Sequence, residues 1–133
     1  MRMKAMLSPV LAGIVLASAL PLANAALSEA SFDLKSTEDL HALCAATQED
    51  ELYVPANYAC RGFIRGAVQY HDAVTDRKNL KPLICYPSTA TIVDGEQAFV
   101  AWAEVNNGNA ELMGEVPVIG LVRALAEKYK CVQ

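Results

Sequence analysis

The sequence lacks most of the residue patterns on which enzymes and metal sites depend. It contains no Cys-x-x-Cys pair, no His-Glu-x-x-His, no Gly-x-Ser-x-Gly and no glycine-rich loop after a strand. These gaps argue against zinc binding, thiol redox chemistry, metalloprotease or serine hydrolase activity and dinucleotide binding. Only two histidines occur, His41 and His71. We interpret His71 as a surface residue, the alternative being a metal ligand with Asp72. The prediction is a protein that is not an enzyme and carries no metal or cofactor.

Basic residues and long apolar runs are also scarce. The net charge is −4, and no basic stripe is visible, so binding to nucleic acid is not expected. The one long apolar run, Met6 to Leu20, follows Arg2 and Lys4 and precedes Ala23-Asn24-Ala25. A basic start, a short apolar core and a small-x-small motif are typical of a cleaved signal peptide, with an uncleaved anchor as the alternative.

Cleavage after Ala25 would remove residues 1–25 and leave residues 26–133 as a single domain. That chain would carry 9 basic against 15 acidic side chains, a net charge of about −6. We expect it to be soluble in the periplasm and not to bind membranes. Four cysteines remain, and in an oxidising compartment an even number favours two disulfides.

Three cysteine pairings are possible, and chain geometry ranks them. Cys44 and Cys60 flank a short connection between two predicted helices. Cys85 precedes the third predicted helix and Cys131 follows the last one, so antiparallel packing would bring these two together. Pairing Cys60 with Cys85 would force the connector back along most of a helix, about 22 Å at 1.5 Å per residue. We therefore predict Cys44–Cys60 and Cys85–Cys131.

Apolar periodicity and capping residues predict an all-α fold, a small bundle of about four helices. The first helix begins after Ser36 and ends near the acidic cluster 49–51. The central helix runs from Pro55 or Ala56 to about Thr75, and the third runs from the Thr91 cap to residues 106–109. Residues 110–115 form an extra turn, and the last helix starts at Val116-Pro117. Residues 83–86 connect the central and third helices, either irregularly or as one extended strand.

The amphipathic stretch Cys60 to Val74 defines the central helix, with Phe63 and Ile64 on its apolar face. Gly62 and Gly66 lie one turn apart on it and would allow a second backbone to approach closely. Two interpretations stay open: close packing within the chain, or a seam between two copies.

Four short features follow one another along the chain: a cysteine followed by G-[YF]-I-x-G, C-x-P with a threonine at a helix start, an aromatic further along that helix, and V-x-A-L before a final cysteine. Here these are Cys60 to Gly66, Cys85-Tyr86-Pro87 with Thr91, Trp102, and Val122 to Leu125 with Cys131. In order and spacing, they resemble the Tai-type periplasmic immunity proteins, which neutralise peptidoglycan amidase effectors of type VI secretion. The chain departs from the pattern at Lys130, at Asn106-Asn107 and in residues 108–115.

The resemblance implies an all-helical domain with disulfides inside the chain, which forms a homodimer and inhibits an amidase effector by occluding its active site. Since loops carry partner contacts more often than cores do, we expect the contacts in the segment between the last two helices. The candidate partner-binding residues are Glu104, Asn107, Asn109, Glu111, Met113 and Glu115. The alternative is a small periplasmic stress chaperone, or a binding protein with a different partner.

Overall fold

The structure, a computed structural model, describes residues 26–132 as an all-α fold. Within this range there are five α-helices and one short 3-10 helix, and no strand. Their bounds are Glu29–Asp33 for the 3-10 helix, Thr37–Cys44 for α1, Tyr53–Lys78 for α2, Ile92–Asn106 for α3, Ala110–Gly114 for α4 and Pro117–Lys128 for α5. The predicted signal peptide, residues 1–25, lies outside the described residues.

Two capping boxes fix the starts of α1 and α3 where the sequence predicted them. The Ser36 Oγ accepts from the Asp39 N–H at 3.1 Å, and the Asp39 carboxylate accepts from the Ser36 N–H at 3.0 Å. Thr91 and Asp94 repeat this exchange at 3.2 and 2.7 Å. Each box satisfies two backbone donors that the first turn of a helix leaves unpaired.

The predicted end of α1 was wrong by several residues. The helix stops at Cys44, well before the acidic cluster 49–51. Asp50 explains the difference, because its Oδ2 accepts from the Thr47 N–H at 2.7 Å and from the Thr47 hydroxyl at 3.1 Å. A side chain that bonds the backbone three residues earlier stabilises a turn in competition with the helix.

α1 lies at the centre of the bundle, a place that the sequence assigned to α2. It contacts α2, α3, α4 and α5, and six of its eight residues are buried, including Leu40 and Leu43 with no exposed surface. By contrast, only Ala56, Cys60 and Ile64 are buried in the 26 residues of α2. α2 therefore covers one side of a core that is built around α1. An ion pair between Arg61 Nε and Glu96 Oε2, 2.6 Å apart, links it to α3.

α2 is longer than predicted at both ends. Pro55 occupies its third position, which is tolerated because the first four N–H groups of a helix have no partner within it. At the other end, Asp76 to Lys78 stay helical, and Asn79 closes the helix in the left-handed conformation with φ of 48°. Asn is among the few non-glycine residues that adopt this conformation readily.

Both predicted disulfides are present. Cys44 pairs with Cys60 at a Cα–Cα distance of 5.1 Å, and Cys85 pairs with Cys131 at 4.9 Å. The connector of residues 83–86 is irregular rather than a strand. A backbone bond from the Cys85 N–H to the Tyr129 carbonyl at 2.9 Å ties it to the end of α5, and Ile84 packs into the core.

Gly62 and Gly66 of α2 do not pack against another element of residues 26–132. No heavy atom of this range outside the local helix backbone comes within 4 Å of a Cβ placed at either glycine, so the interpretation as close intramolecular packing was wrong. None of the helices in residues 26–132 combines the length and apolar character needed to span a membrane.

Candidate functional site

The segment of residues 104–116, here called the elbow, turns the chain from α3 through α4 into α5. Asn106 ends α3, and its Nδ2 donates to the Trp102 carbonyl at 2.7 Å. Asn109 caps α4, because its Oδ1 accepts from the N–H groups of Glu111 and Leu112 at 3.1 and 3.2 Å. Pro117 then begins α5 at a position where a missing N–H costs nothing. Local side-chain chemistry thus sets both corners of the elbow.

Contacts with α1 hold the elbow against the bundle. The Glu115 carbonyl accepts from the Thr37 N–H at 2.7 Å and from the Thr37 hydroxyl at 3.0 Å. Thr37 is fully buried and lies directly on Gly120, where an added Cβ would come within 2.3 Å of the Thr37 Cγ2. Met113 adds an apolar anchor, with 4% of its surface exposed. The elbow is therefore presented on a fixed support.

A two-point ion pair closes the elbow onto α5. Arg123 donates from Nε to Glu115 Oε2 at 2.9 Å and from Nη2 to Oε1 at 2.7 Å. Hydrogen bonding by this guanidinium lowers the pKa of Glu115, because it stabilises the ionised carboxylate. Both side chains keep substantial contact with solvent, so the pair serves orientation more than stability.

The six predicted contact residues all lie in the elbow, and they differ in how far their side chains are exposed to a partner. Glu104, Asn107, Asn109 and Glu111 are exposed. Glu115 is half-buried and held by Arg123, and Met113 lies in the core. Partner contact by these residues stays a prediction, with Met113 placed beneath the surface rather than on it.

Exposed aliphatic side chains in the elbow and at the start of α5 were missed by the sequence interpretation. Periodicity places Val105 and Val118 on the apolar stripes of α3 and α5, but their exposed fractions are 85% and 41%. Val116 and Ile119, at the start of α5, are exposed at 55% and 42%. Apolar side chains beside exposed acids are typical of a protein interface. In the sequence, residues 116–122 contain more apolar side chains than one face of a helix can bury. This excess was the sign that some of them would be exposed.

The second histidine, His71, belongs to a hydrogen-bonded cluster that fixes the connector. Its Nδ1 bonds the Asp72 carboxylate at 3.0 Å, and its Nε2 accepts from the Leu83 N–H at 3.1 Å. Asp72 also accepts from the Tyr86 hydroxyl. Burial and this bond to Asp72 raise the pKa of Tyr86 to about 12. Because both nitrogens of His71 are engaged, the cluster has the character of a structural clamp rather than a base or a metal site.

His41 has a different environment. It is 4% exposed, and its Nε2 is buried without a hydrogen-bond partner among the described residues. Burial lowers the pKa of His41, and the carboxylates of Glu104 and Glu38 offset this only in part. Nothing in the sequence distinguished this histidine from an ordinary surface residue.

Two concave regions begin at the α3 end of the elbow and extend away from it. A groove of about 540 Å³ runs between α3 and α5, lined by Trp102, Tyr129 and Lys128 among others. A cavity of about 290 Å³ lies beside His41, between the N-terminal arm, α1 and α3. Among residues 26–132, no three His, Cys, Asp or Glu side chains are grouped to hold a metal ion.

Comparison with known proteins identifies the domain. The family model described as Rap1a immunity proteins matches residues 36–131, from the α1 cap to the last cysteine. Searches of curated proteins and of solved structures found no match. The matched range includes the five α-helices described above, both disulfides and the whole elbow. The chain belongs to the Rap1a immunity proteins, a family whose description indicates binding to an effector protein and its neutralisation.

Proposed function

We propose that this protein is exported to the periplasm, loses residues 1–25, and there neutralises a peptidoglycan amidase effector of type VI secretion. Membership of the Rap1a immunity proteins is the observation that carries the proposal. The resemblance of the Cys60–Gly66 and Cys85–Pro87 motifs to Tai-type proteins supports the amidase as the target. A Rap1a protein directed at another effector would share the fold but not this target.

Inhibition proceeds by occlusion, with the elbow as the contacting surface. The elbow combines exposed acids and amides with the exposed side chains of Val105 and Val116, as the centre and rim of a protein interface do. Thr37 and Met113 fix its backbone from beneath, so binding to a partner requires little ordering of the loop. No covalent step is needed, and the protein has no catalytic role of its own.

The protein acts as a homodimer, and α2 is the element that supports this part of the proposal. Tyr58, Gly62, Gly66 and Tyr70 follow one another at intervals of four residues on its exposed side. Tyr58 and Tyr70 are exposed at 77% and 72%. Such an i±4n row with small residues in its middle is a surface that a second helix can cross at about −50°.

An inhibition assay tests the central proposal. The neighbouring genes are first searched for one that encodes an amidase effector. Residues 26–133 are then added to that effector, with purified peptidoglycan as the substrate. We expect amidase activity to fall to background near equimolar inhibitor. Full activity in the presence of a large excess of inhibitor would rule out the amidase as the target.

A charge reversal tests the elbow as the contact surface. Glu111→Arg changes an exposed acid on α4, and we expect it to weaken inhibition by about tenfold or more, which corresponds to about 1.4 kcal/mol. Glu51→Arg is the matched control, since Glu51 is also exposed and lies in the turn before α2. Equal inhibition by the two variants would exclude the elbow.

A further inference from the structure

The cavity beside His41 has features of a site for a positively charged group. His41, Asp50 and Glu104 line it, together with Ala26 and Leu27 of the N-terminal arm. Its volume of about 290 Å³ far exceeds the roughly 30 Å³ that one water occupies in the liquid. Three separate parts of the chain therefore contribute polar groups to one small cavity.

Two acceptors of the cavity, the buried His41 Nε2 and the exposed Glu104 carboxylate, have no partner among the described residues. His41 Nε2 is fully buried, and no group in residues 26–132 bonds to it. Asp50 uses Oδ2 to bind Thr47, and Glu104 forms no ion pair with any lysine, arginine or histidine in the described chain. A third acid, Glu38, acts on His41 electrostatically. A buried polar atom without a partner is costly, so a cationic donor at this place would be stabilised.

The chain itself supplies such a group at the rim of the cavity. Ala26 is the residue after the predicted cleavage site, and it lines the same cavity as the histidine and the two carboxylates. Its position is fixed by the residues that follow. Leu27 packs against the core, and Ser28 and Ser31 form a capping box that begins the 3-10 helix. The arm thus holds residue 26 at the edge of the cavity that these acceptors line.

We propose that the α-ammonium group of Ala26, released when the signal peptide is removed, binds in the His41–Asp50–Glu104 cavity and locks the arm onto the mature domain. Hydrolysis adds one water across the Ala25–Ala26 peptide bond, leaving a carboxylate on Ala25 and an amine on Ala26. An α-amino group has a pKa of about 7.7–8.0, so at neutral pH this amine takes up a proton. One amide N–H becomes three charged N–H donors, which match His41 Nε2 and the two carboxylates.

This inference rests on the proposed cleavage after Ala25, and it adds a consequence of that cleavage for the folded domain. Before cleavage, the nitrogen of Ala26 is an uncharged amide with a single hydrogen. It therefore cannot neutralise the negative charges of Asp50 and Glu104. After cleavage, the same nitrogen carries the charge that the cavity lacks. The exported form is therefore expected to be more stable than any form with residues before Ala26.

The test compares three forms of one chain: residues 26–133 released from a fusion so that Ala26 is first, the same protein acetylated at Ala26, and the same protein extended by Gly-Ser. The α-amino pKa is measured from the pH dependence of its reaction with an amine reagent, and stability from thermal melting. We expect the free amine to have a pKa about one unit above the ordinary range, a tenfold preference for the charged form. It should also melt at a higher temperature than the acetylated and extended forms.

Glu104→Gln should return the α-amino pKa to the ordinary range and abolish the difference in melting temperature between the free and acetylated forms. Glu111→Gln is the control, because Glu111 is an exposed acid that does not line the cavity. An ordinary α-amino pKa in the unmutated protein, or equal melting of its free and acetylated forms, overturns the inference. Since the fusion supplies the N-terminus without signal peptidase and no effector is present, such a failure would leave effector neutralisation standing. Conversely, a failed inhibition assay would leave this site intact.

Discussion

A single methyl group at Gly120 would collide with Thr37, the residue that holds the elbow. The added Cβ would lie 2.3 Å from the Thr37 Cγ2 and 2.4 Å from its Oγ1. Overpacking of this kind costs about 1–3 kcal/mol, and a displaced Thr37 hydroxyl adds about 1 kcal/mol for its lost bond to the Glu115 carbonyl. The better helix propensity of alanine returns about 1 kcal/mol. We expect Gly120→Ala to destabilise the protein by a net ~1–3 kcal/mol in urea unfolding.

Gly114→Ala is the control for this prediction. Gly114 ends α4, has no atom within 4 Å of the place that an added Cβ would take, and should tolerate the change within about 0.5 kcal/mol. If both variants unfold at the same urea concentration as the unmutated chain, the contact between Thr37 and Gly120 does not support the elbow.

Also at the residue scale, His41 makes stability depend on pH. Its pKa is lowered in the folded protein by burial, despite Glu38 and Glu104, and Asp50 lines the same cavity. The unfolded chain therefore binds more protons below about pH 6.5 than the folded chain does. The stabilising contribution is present above about pH 6.5 and is lost as the pH falls through the folded pKa.

We expect the melting temperature of His41→Leu to decrease less between pH 7 and pH 5 than that of the unmutated protein. Leucine binds no proton, so the variant lacks the loss of stability that protonation of His41 in the unfolded chain causes. Melting curves of the two proteins in the same buffers make the comparison. Parallel curves from pH 7 to pH 5 would contradict the assignment of this dependence to His41.

At the scale of elements, the two disulfides link different parts of the bundle. Cys44–Cys60 joins α1 to α2 across a separation of 16 residues and is buried, whereas Cys85–Cys131 joins the connector to the C-terminal end across 46 residues. By loop entropy each contributes about 3–4 kcal/mol, with the longer loop contributing slightly more.

Burial determines which bond is reduced first. Cys44 and Cys60 are exposed by only 7% and 0%, while Cys85 is exposed and Cys131 half-buried. We expect a mild thiol reductant to open Cys85–Cys131 while the protein stays folded, as measured by mass spectrometry after alkylation. The Cys85→Ser/Cys131→Ser variant should then show one reduction step fewer. Prior reduction of Cys44–Cys60 in the folded protein would be incompatible with this order.

The sequence predicted the helix starts that depend on capping residues or proline close by in the chain. The caps at Ser36 and Thr91 and the proline start of α5 follow from side chains within four residues, and the helices begin there. The end of α1 was missed because turn formation by Asp50 competes with helix propensity. The length of α2 was underestimated because the polar residues Asp76 to Lys78 stay helical until Asn79 takes the left-handed conformation. The disulfide pairing was predicted correctly because the rise per residue of a helix limits which cysteines can come within bonding distance.

The candidate site was only partly visible in the sequence. An irregular segment rich in asparagine, glycine and glutamate between two apolar helices indicated an exposed loop, and Glu104, Asn107, Asn109 and Glu111 are exposed. Burial of Met113 and exposure of Val105 depend on how α3, α4 and α5 pack together, and no local pattern contains that information. The cavity of His41 likewise joins residues 26, 41, 50 and 104, which are close only after folding.

At the scale of the whole molecule, the open face of α2 is the proposed seam between two copies. A Cβ added at Gly66 meets no atom of another element within 4 Å in the described part of the chain, so Gly66→Arg should leave the folded protomer intact. In the middle of a dimer seam, however, arginine would separate the two helices and place like charges together. We expect light scattering to show a dimer for residues 26–133 and a monomer for Gly66→Arg, with unchanged helical circular dichroism.

Gln97→Arg provides the matched control for the dimer prediction. Gln97 is also an exposed helical residue, but it lies on α3 beside the groove with α5, away from the row of Tyr58, Gly62, Gly66 and Tyr70. The same charge added there should leave the dimer unchanged, because the arginine does not enter the seam. A monomeric unmutated protein would refute the homodimer itself. A Gly66→Arg protein that remains dimeric would instead show that the copies meet through another surface, and that the exposed glycines of α2 need a different explanation.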